Sequence, residues 1–360
     1  MAIVKTAPIH QGHHDWKRLP KEMKEDSFRS SSQMAKMVCV TNGTSFLGLW
    51  IVRQLLLRGY IVRLTAHNTG ELQKVEEMEE FALYSANNKL SGVVVNVATD
   101  STASLCEAFD GCYGVFHTSS FIDPHGLSGY TEHMVNLEVK GAEKTVEACS
   151  LTSSVRRCVF TSSLTACTWQ RDGFSEDGDF VVDEKCWSDQ HLCREKKLWL
   201  ALSKTMSEKA AWRAAEESGG VNLVTVCPAL LTGPAFSASC ASSAVAYLKG
   251  AREMYEKNLL ATVDVRRAAE AHVCVYEEME IGGSGRYICF DKVITRPEDA
   301  RDLEKKLNMG LGFSADEDSG DRDEYRSSQS HIGSHRIFNA KLRRIMDLSA
   351  SARSCRHERD

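Results

Sequence analysis

Val38–Asn68 reads VCVTNGTSFLGLWIVRQLLLRGYIVRLTAHN, and its pattern decides the fold. Val38-Cys39-Val40-Thr41 is a short apolar run that fits a buried strand. Asn42 to Gly48 makes a turn, and the apolar spacing from Leu47 to Leu57 predicts a helix. Arg58-Gly59 stops that helix, Gly serving as a C-terminal cap, and Ile61 to Thr65 predicts a second strand. A strand–turn–helix–strand start of this kind aims helix N-terminal amides at a place where a pyrophosphate can sit.

Strand-like and helix-like segments alternate beyond it. Glu71–Asn87 reads as a charged helix, Gly92–Val97 as a third strand, Ser101–Phe109 as a short helix and Gly114–Thr118 as a fourth strand. Thr131–Ser150 predicts a long helix with apolar residues at Met134, Leu137, Val139 and Val146, followed by a fifth strand at Val155–Thr161. An acidic loop at Gln170–Asp183, one helix from Gln190 to Glu217, a strand at Val221–Cys227 and a late strand at Gly285–Phe290 complete the pattern. The alternation predicts an α/β fold: a Rossmann-type doubly wound parallel sheet with a smaller C-terminal substrate lobe. The body is expected over 37–227 and the lobe over 228–313, with late strands returning to the body. Residues 1–36 read as a disordered leader, 314–330 as a disordered acidic loop, and 331–360 as a short amphipathic helix with a basic tail.

Composition narrows the class. A chain of 360 residues can bury a full core without covalent staples. A net charge of -5 and a pI near 6.2 argue against bulk binding to nucleic acid or membrane surfaces. No apolar stretch approaches the ~20 residues of a membrane span. The 13 cysteines lack metal-ligand spacing. Many, such as Cys39, Cys158, Cys227, Cys274 and Cys289, sit in apolar runs, which fits reduced core residues of a cytoplasmic protein and no metal site. His10, His13 and His14 belong to the polar leader.

The turn and several later segments resemble the extended short-chain dehydrogenases/reductases, most of all the plant cinnamoyl-CoA reductase and dihydroflavonol reductase family. That family has T-G-x-x-G-F-[IL]-G where this chain has Thr41-Asn42-Gly43-Thr44-Ser45-Phe46-Leu47-Gly48. The resemblance implies that Thr41, Asn42, Ser45, Phe46, Leu47 and Gly48 line a dinucleotide site, with Pro228 of the Pro228–Pro234 turn beside the nicotinamide. Asn42 and Ser45 replace two glycines. Asn visits positive φ readily, whereas a Cβ at Ser45 narrows the approach while its hydroxyl offers a hydrogen bond to phosphate. Thr65-Ala66-His67-Asn68 ends the second strand without a carboxylate. His67 stands where the family has an Arg for the 2′-phosphate, with Arg63 nearby in sequence, so NADP(H) is expected over NAD(H). Ala98 stands where the family has an Asp near the adenine.

Phe160-Thr161-Ser162-Ser163 matches the family's F-T-S-S. Lys197-Leu198-Trp199-Leu200-Ala201-Leu202-Ser203-Lys204, with Thr205, Glu208 and Trp212, matches its K-x-W-Y-x-x-x-K-T-x-x-E-x-x-x-W. By that match Ser163 and Lys204 are the catalytic Ser and Lys, and Lys204 also holds the nicotinamide ribose. Leu200 takes the position of the Tyr that protonates the carbonyl oxygen. The family's His-x-x-Lys substrate segment corresponds to Ser243–Ala246, which lacks those contacts. The resemblance implies an NADP(H)-dependent reductase of a phenolic aldehyde, ketone or thioester. The missing Tyr implies impaired turnover, or an inactive relative that binds a ligand or a protein partner.

Overall fold

The computed structural model describes residues 36–118, 131–171, 181–236, 244–307 and 337–357. The leader up to residue 35 with its three histidines, most of the Gln170–Asp183 loop, Ser243 and the 314–330 segment lie outside the described residues. Seven strands, β1 (Met37–Thr41), β2 (Ile61–Ala66), β3 (Leu90–Val94), β4 (Gly114–His117), β5 (Arg157–Thr161), β6 (Asn222–Pro228) and β9 (Gly285–Cys289), form one sheet in the order β3-β2-β1-β4-β5-β6-β9. Every neighbouring pair in it is parallel. A second sheet, β10-β8-β7, joins β7 (Leu230–Thr232), β8 (Ala261–Asp264) and β10 (Lys292–Val293). This is the doubly wound arrangement the alternation predicts.

Successive side chains of a strand point to opposite faces, so each central strand feeds two cores. Val38 and Val40, with Val62, Leu64, Phe116 and Val159, join the helices Phe46–Leu57 and Val265–Glu278 on one face. Cys39, Val115, Cys158 and Phe160 join the helices Thr102–Phe109, Glu132–Leu151 and Trp199–Ser218 on the other. Helix Phe46–Leu57 buries Leu47, Leu49, Trp50, Ile51, Val52, Leu55 and Leu56, which is why it reads as apolar almost all round.

Two expected helices are each broken in two. Met78, with extended backbone (φ -69, ψ 125), separates Thr69–Glu76 from Glu79–Ala86. Lys197 adopts a left-handed conformation (φ 52) and separates Gln190–Glu195 from Trp199–Ser218, re-aiming the chain just before the segment that carries Leu200 and Lys204. In Glu132–Leu151 the buried stripe is Met134, Val135, Glu138, Gly141, Ala142, Thr145 and Val146. Leu137 and Val139 lie only half-buried beside it. The Asn339-x-Lys-Leu segment starts a helix, Ala340–His357. Asn339 donates to Phe290 O (3.0 Å), and Lys341 Nζ donates to Ser284 O (2.6 Å) and Arg286 O (2.9 Å), docking it on the edge strand β9.

Candidate active site

In a sheet of this order the connections leave β1 and β4 in opposite directions, and the crevice beyond their carboxyl ends is the ligand-binding position. Thr41 ends β1, Ala66 ends β2, His117 ends β4, Thr161 ends β5 and Pro228 ends β6. The residues expected at the dinucleotide therefore converge from separate strand exits.

The turn after β1 keeps a tight path. Asn42 sits in the left-handed region (φ 49), as a residue replacing that glycine must. Its N–H donates to Thr65 Oγ1 (3.0 Å), and Gly43 N donates to Thr65 O (2.9 Å), tying the turn to β2. A Cβ at Gly48 would lie 2.6 Å from Asn42 O, so only glycine fits there. Ser45 has extended backbone (φ -71, ψ 167), and its Oγ accepts from Gly48 N (3.1 Å), capping the helix. The hydroxyl proton of Ser45 remains a donor, and the amides of Phe46 and Leu47 belong to the first helical turn, which lacks intrahelical acceptors. These residues fit the diphosphate of a dinucleotide.

Beside the turn, Thr41 Oγ1 and His117 Nδ1 share a hydrogen bond of 3.0 Å, and the Thr118 hydroxyl donates to Thr41 O (2.6 Å). His117 is fully buried, and its Nε2 has no hydrogen-bond partner among the described residues. Burial holds the imidazole far below its ordinary pKa, down to about 3, with Lys204 pushing the same way and Glu138 opposing.

Across the crevice, Ser163 Oγ accepts from the N–H (3.2 Å) and hydroxyl (2.9 Å) of Thr165, so its own proton is available to a carbonyl oxygen. The strand exit is braced from below by Glu208, a fully buried acid. Glu208 accepts from Ser162 Oγ (2.6 Å), Thr225 Oγ1 (2.6 Å) and Arg286 Nε (2.7 Å), joining β5, β6 and β9.

Lys204 is 5 % exposed, and its Nζ pairs with Oε1 of Glu138, which is fully buried. Ser203 Oγ donates to the other Glu138 oxygen (2.5 Å). Leu200, one turn before Lys204 on the same helix face, is 5 % exposed and part of the core. The structure thus places Lys204 beside an acid and buries Leu200, a hydrocarbon, at the position where the resemblance leads one to expect a proton donor. Sequence reading missed Glu138; its signal is an acid in the middle of a buried helical stripe, since Glu is almost never fully buried unless paired.

Thr65–Asn68 carries no carboxylate, as read from the sequence, but an acid that the sequence reading did not weigh lies close by: Glu71, in the first turn of the next helix, accepts from Thr44 Oγ1 (2.9 Å), His67 N (3.1 Å) and Asn68 Nδ2 (3.3 Å). Arg63 gives His67 no help, because its guanidinium donates to the carbonyls of Ala108 and Asp110 (2.8 Å each). The His67 side chain is exposed. At Ala98, the N–H donates to Asn96 Oδ1 (3.0 Å) and the carbonyl accepts from Lys144 Nζ (3.0 Å).

A parallel sheet with this switch point and a tight glycine-bearing turn at the end of β1 define a Rossmann-type protein. Residues 39–289 match the 3-beta hydroxysteroid dehydrogenase/isomerase family. A cinnamoyl-CoA reductase 1 of Petunia hybrida is 36% identical over 284 residues, 76% of this chain and 78% of that protein. A dihydroflavonol 4-reductase of Callistephus chinensis is 32% identical, over 79% of this chain and 74% of that protein. The crystal structure of vestitone reductase from alfalfa (Medicago sativa) superimposes with a TM-score of 0.59 at 26% identity, covering 86% of this chain and 91% of that one. The chain belongs to the extended short-chain dehydrogenase/reductase family, in its cinnamoyl-CoA reductase and dihydroflavonol reductase group.

Proposed function

We propose that the protein binds a nicotinamide dinucleotide across the β1–β4 crevice and reduces the carbonyl of a small molecule slowly. The relatives, named for cinnamoyl-CoA and dihydroflavonol, support a phenylpropanoid-type aldehyde, ketone or thioester as substrate. The turn of Thr41 to Gly48 would hold the diphosphate, and Pro228 would border the nicotinamide end. Bound there, the dinucleotide would supply a hydride to the carbonyl carbon. Ser163 would donate a hydrogen bond to the carbonyl oxygen. Leu200 is the observation that sets the rate, because leucine cannot deliver the proton and loss of a general acid typically costs about 10²–10⁴ in rate.

The Glu138–Lys204 pair favours a second reading, in which the scaffold binds ligand or partner without turnover. Lys204 in that reading is an internal strut rather than a ribose clamp. Of the two dinucleotides, the expectation of NADP(H) now rests on His67 alone, since Arg63 is committed elsewhere.

Calorimetric titration of the full chain with reduced nicotinamide dinucleotides tests the binding half of this proposal. Micromolar binding by a folded protein supports it. Absence of binding to either dinucleotide would leave a reductase-fold interaction protein.

A further inference from the structure

We propose that Glu71 selects the adenosine end of the dinucleotide, and that the chain takes NAD(H) in preference to NADP(H). This rests on the reading above that the crevice holds a nicotinamide dinucleotide. It concerns only which ribose the crevice accepts.

The Glu71 carboxylate is fixed by three side-chain and backbone donors. Glu71 Oε2 accepts from the Thr44 hydroxyl (2.9 Å), which belongs to the turn after β1. The same oxygen accepts from His67 N (3.1 Å), at the exit of β2. Asn68 Nδ2 reaches Oε1 (3.3 Å), while Asn68 Oδ1 accepts from Glu71 N (3.0 Å) and caps the helix Thr69–Glu76. A half-buried carboxylate is thereby held between the two chain segments that frame the adenosine ribose in a sheet of this topology.

The charge decides what that position tolerates. A ribose with a free 2′-hydroxyl donates a hydrogen bond to a carboxylate, and an acid at the end of the second strand is the physical basis of NAD preference. A 2′-phosphate carries between one and two negative charges at neutral pH and offers mainly acceptors. Placed against Glu71 it meets a like charge and finds the nearby His67 N–H already donating to that acid. Arg63, the nearest strand cation, donates to Ala108 O and Asp110 O instead.

The test is a calorimetric comparison of NADH and NADPH on the full chain, repeated with adenosine monophosphate and its 2′-phosphorylated isomer, and on Glu71→Gln. Glutamine keeps an acceptor and the side-chain volume while removing the charge. The expected result is NADH tighter than NADPH by about tenfold or more, which is the order of one screened like-charge contact. Glu71→Gln should move that ratio towards one, chiefly by improving NADPH. NADPH binding as tightly as NADH in the unaltered chain would overturn the selectivity, as would a ratio unmoved by Glu71→Gln. Failure of a folded chain to bind either dinucleotide would instead remove the reading on which the selectivity rests.

Discussion

Glu138 and Lys204 form a buried ion pair between two helices that flank the same face of the sheet, with Glu138 fully buried and Lys204 nearly so. Ser203, the neighbour of Lys204, donates to the second carboxylate oxygen (2.5 Å). The lysine that by its sequence position should clamp a ribose is thus held by an acid supplied from the helix opposite. A buried pair is expensive to break, because the partner left behind is an uncompensated charge in the interior.

That relationship predicts a thermodynamic cycle. Glu138→Ala and Lys204→Met should each destabilise the protein by ~3–5 kcal/mol in urea unfolding. The double variant Glu138→Ala/Lys204→Met should lose clearly less than the sum, since no lone charge remains. Additive losses would mean that the two side chains do not act as a pair.

The same pair predicts how a restored proton donor behaves. Leu200→Tyr alone would face a lysine still engaged by Glu138. Adding Glu138→Ala should raise carbonyl reduction above the single variant by releasing the ammonium towards tyrosine and ribose. Steady-state rates at saturating dinucleotide distinguish this from a passive role, in which the added substitution lowers activity in line with lost stability.

Two buried histidines predict the response to acid. Burial holds His117 at about 3 and His272 at about 4, against an ordinary value near 6.5. The unfolded chain therefore takes up protons that the folded chain refuses. The stability contributed by the neutral rings is fully present above about pH 6.5 and falls as pH drops towards the folded values. The slope should reach ~1.4 kcal/mol per pH unit for each histidine. Urea midpoints at several pH values measure it, and His117→Asn should reduce the slope; an unchanged slope would remove His117 from the account.

The turn yields a graded series. Ser45→Ala should cost about 1 kcal/mol through the lost helix cap. Asn42→Gly should change stability little, because the backbone there already has the left-handed conformation that glycine adopts freely. Gly48→Ala should lower the melting temperature most and abolish dinucleotide binding, because its Cβ would strike Asn42 O. Thermal melts with and without dinucleotide rank the three.

The βαβ start and the strand–helix alternation were legible because period-2 and period-3.6 patterns are local properties of a chain. The breaks at Met78 and Lys197 were not, since each depends on one residue's backbone conformation within an otherwise helical pattern. Leu200 and Lys204 could be read at fixed spacing on one helix. Glu138 and Glu71 lie on other elements, and only the fold brings Glu138 to Lys204 or Glu71 to Thr44. Ser45 showed its replacement of a glycine in the sequence but not its work as a helix cap.

In the function proposed above, the chain keeps a dinucleotide cradle and lacks a proton donor at Leu200. Single-turnover oxidation of bound reduced dinucleotide by a hydroxycinnamaldehyde, in the unaltered protein and in Leu200→Tyr, tests it most directly. The account predicts binding in both and a rate at least ~10² higher in the variant. Equal rates with the dinucleotide bound in both would contradict it.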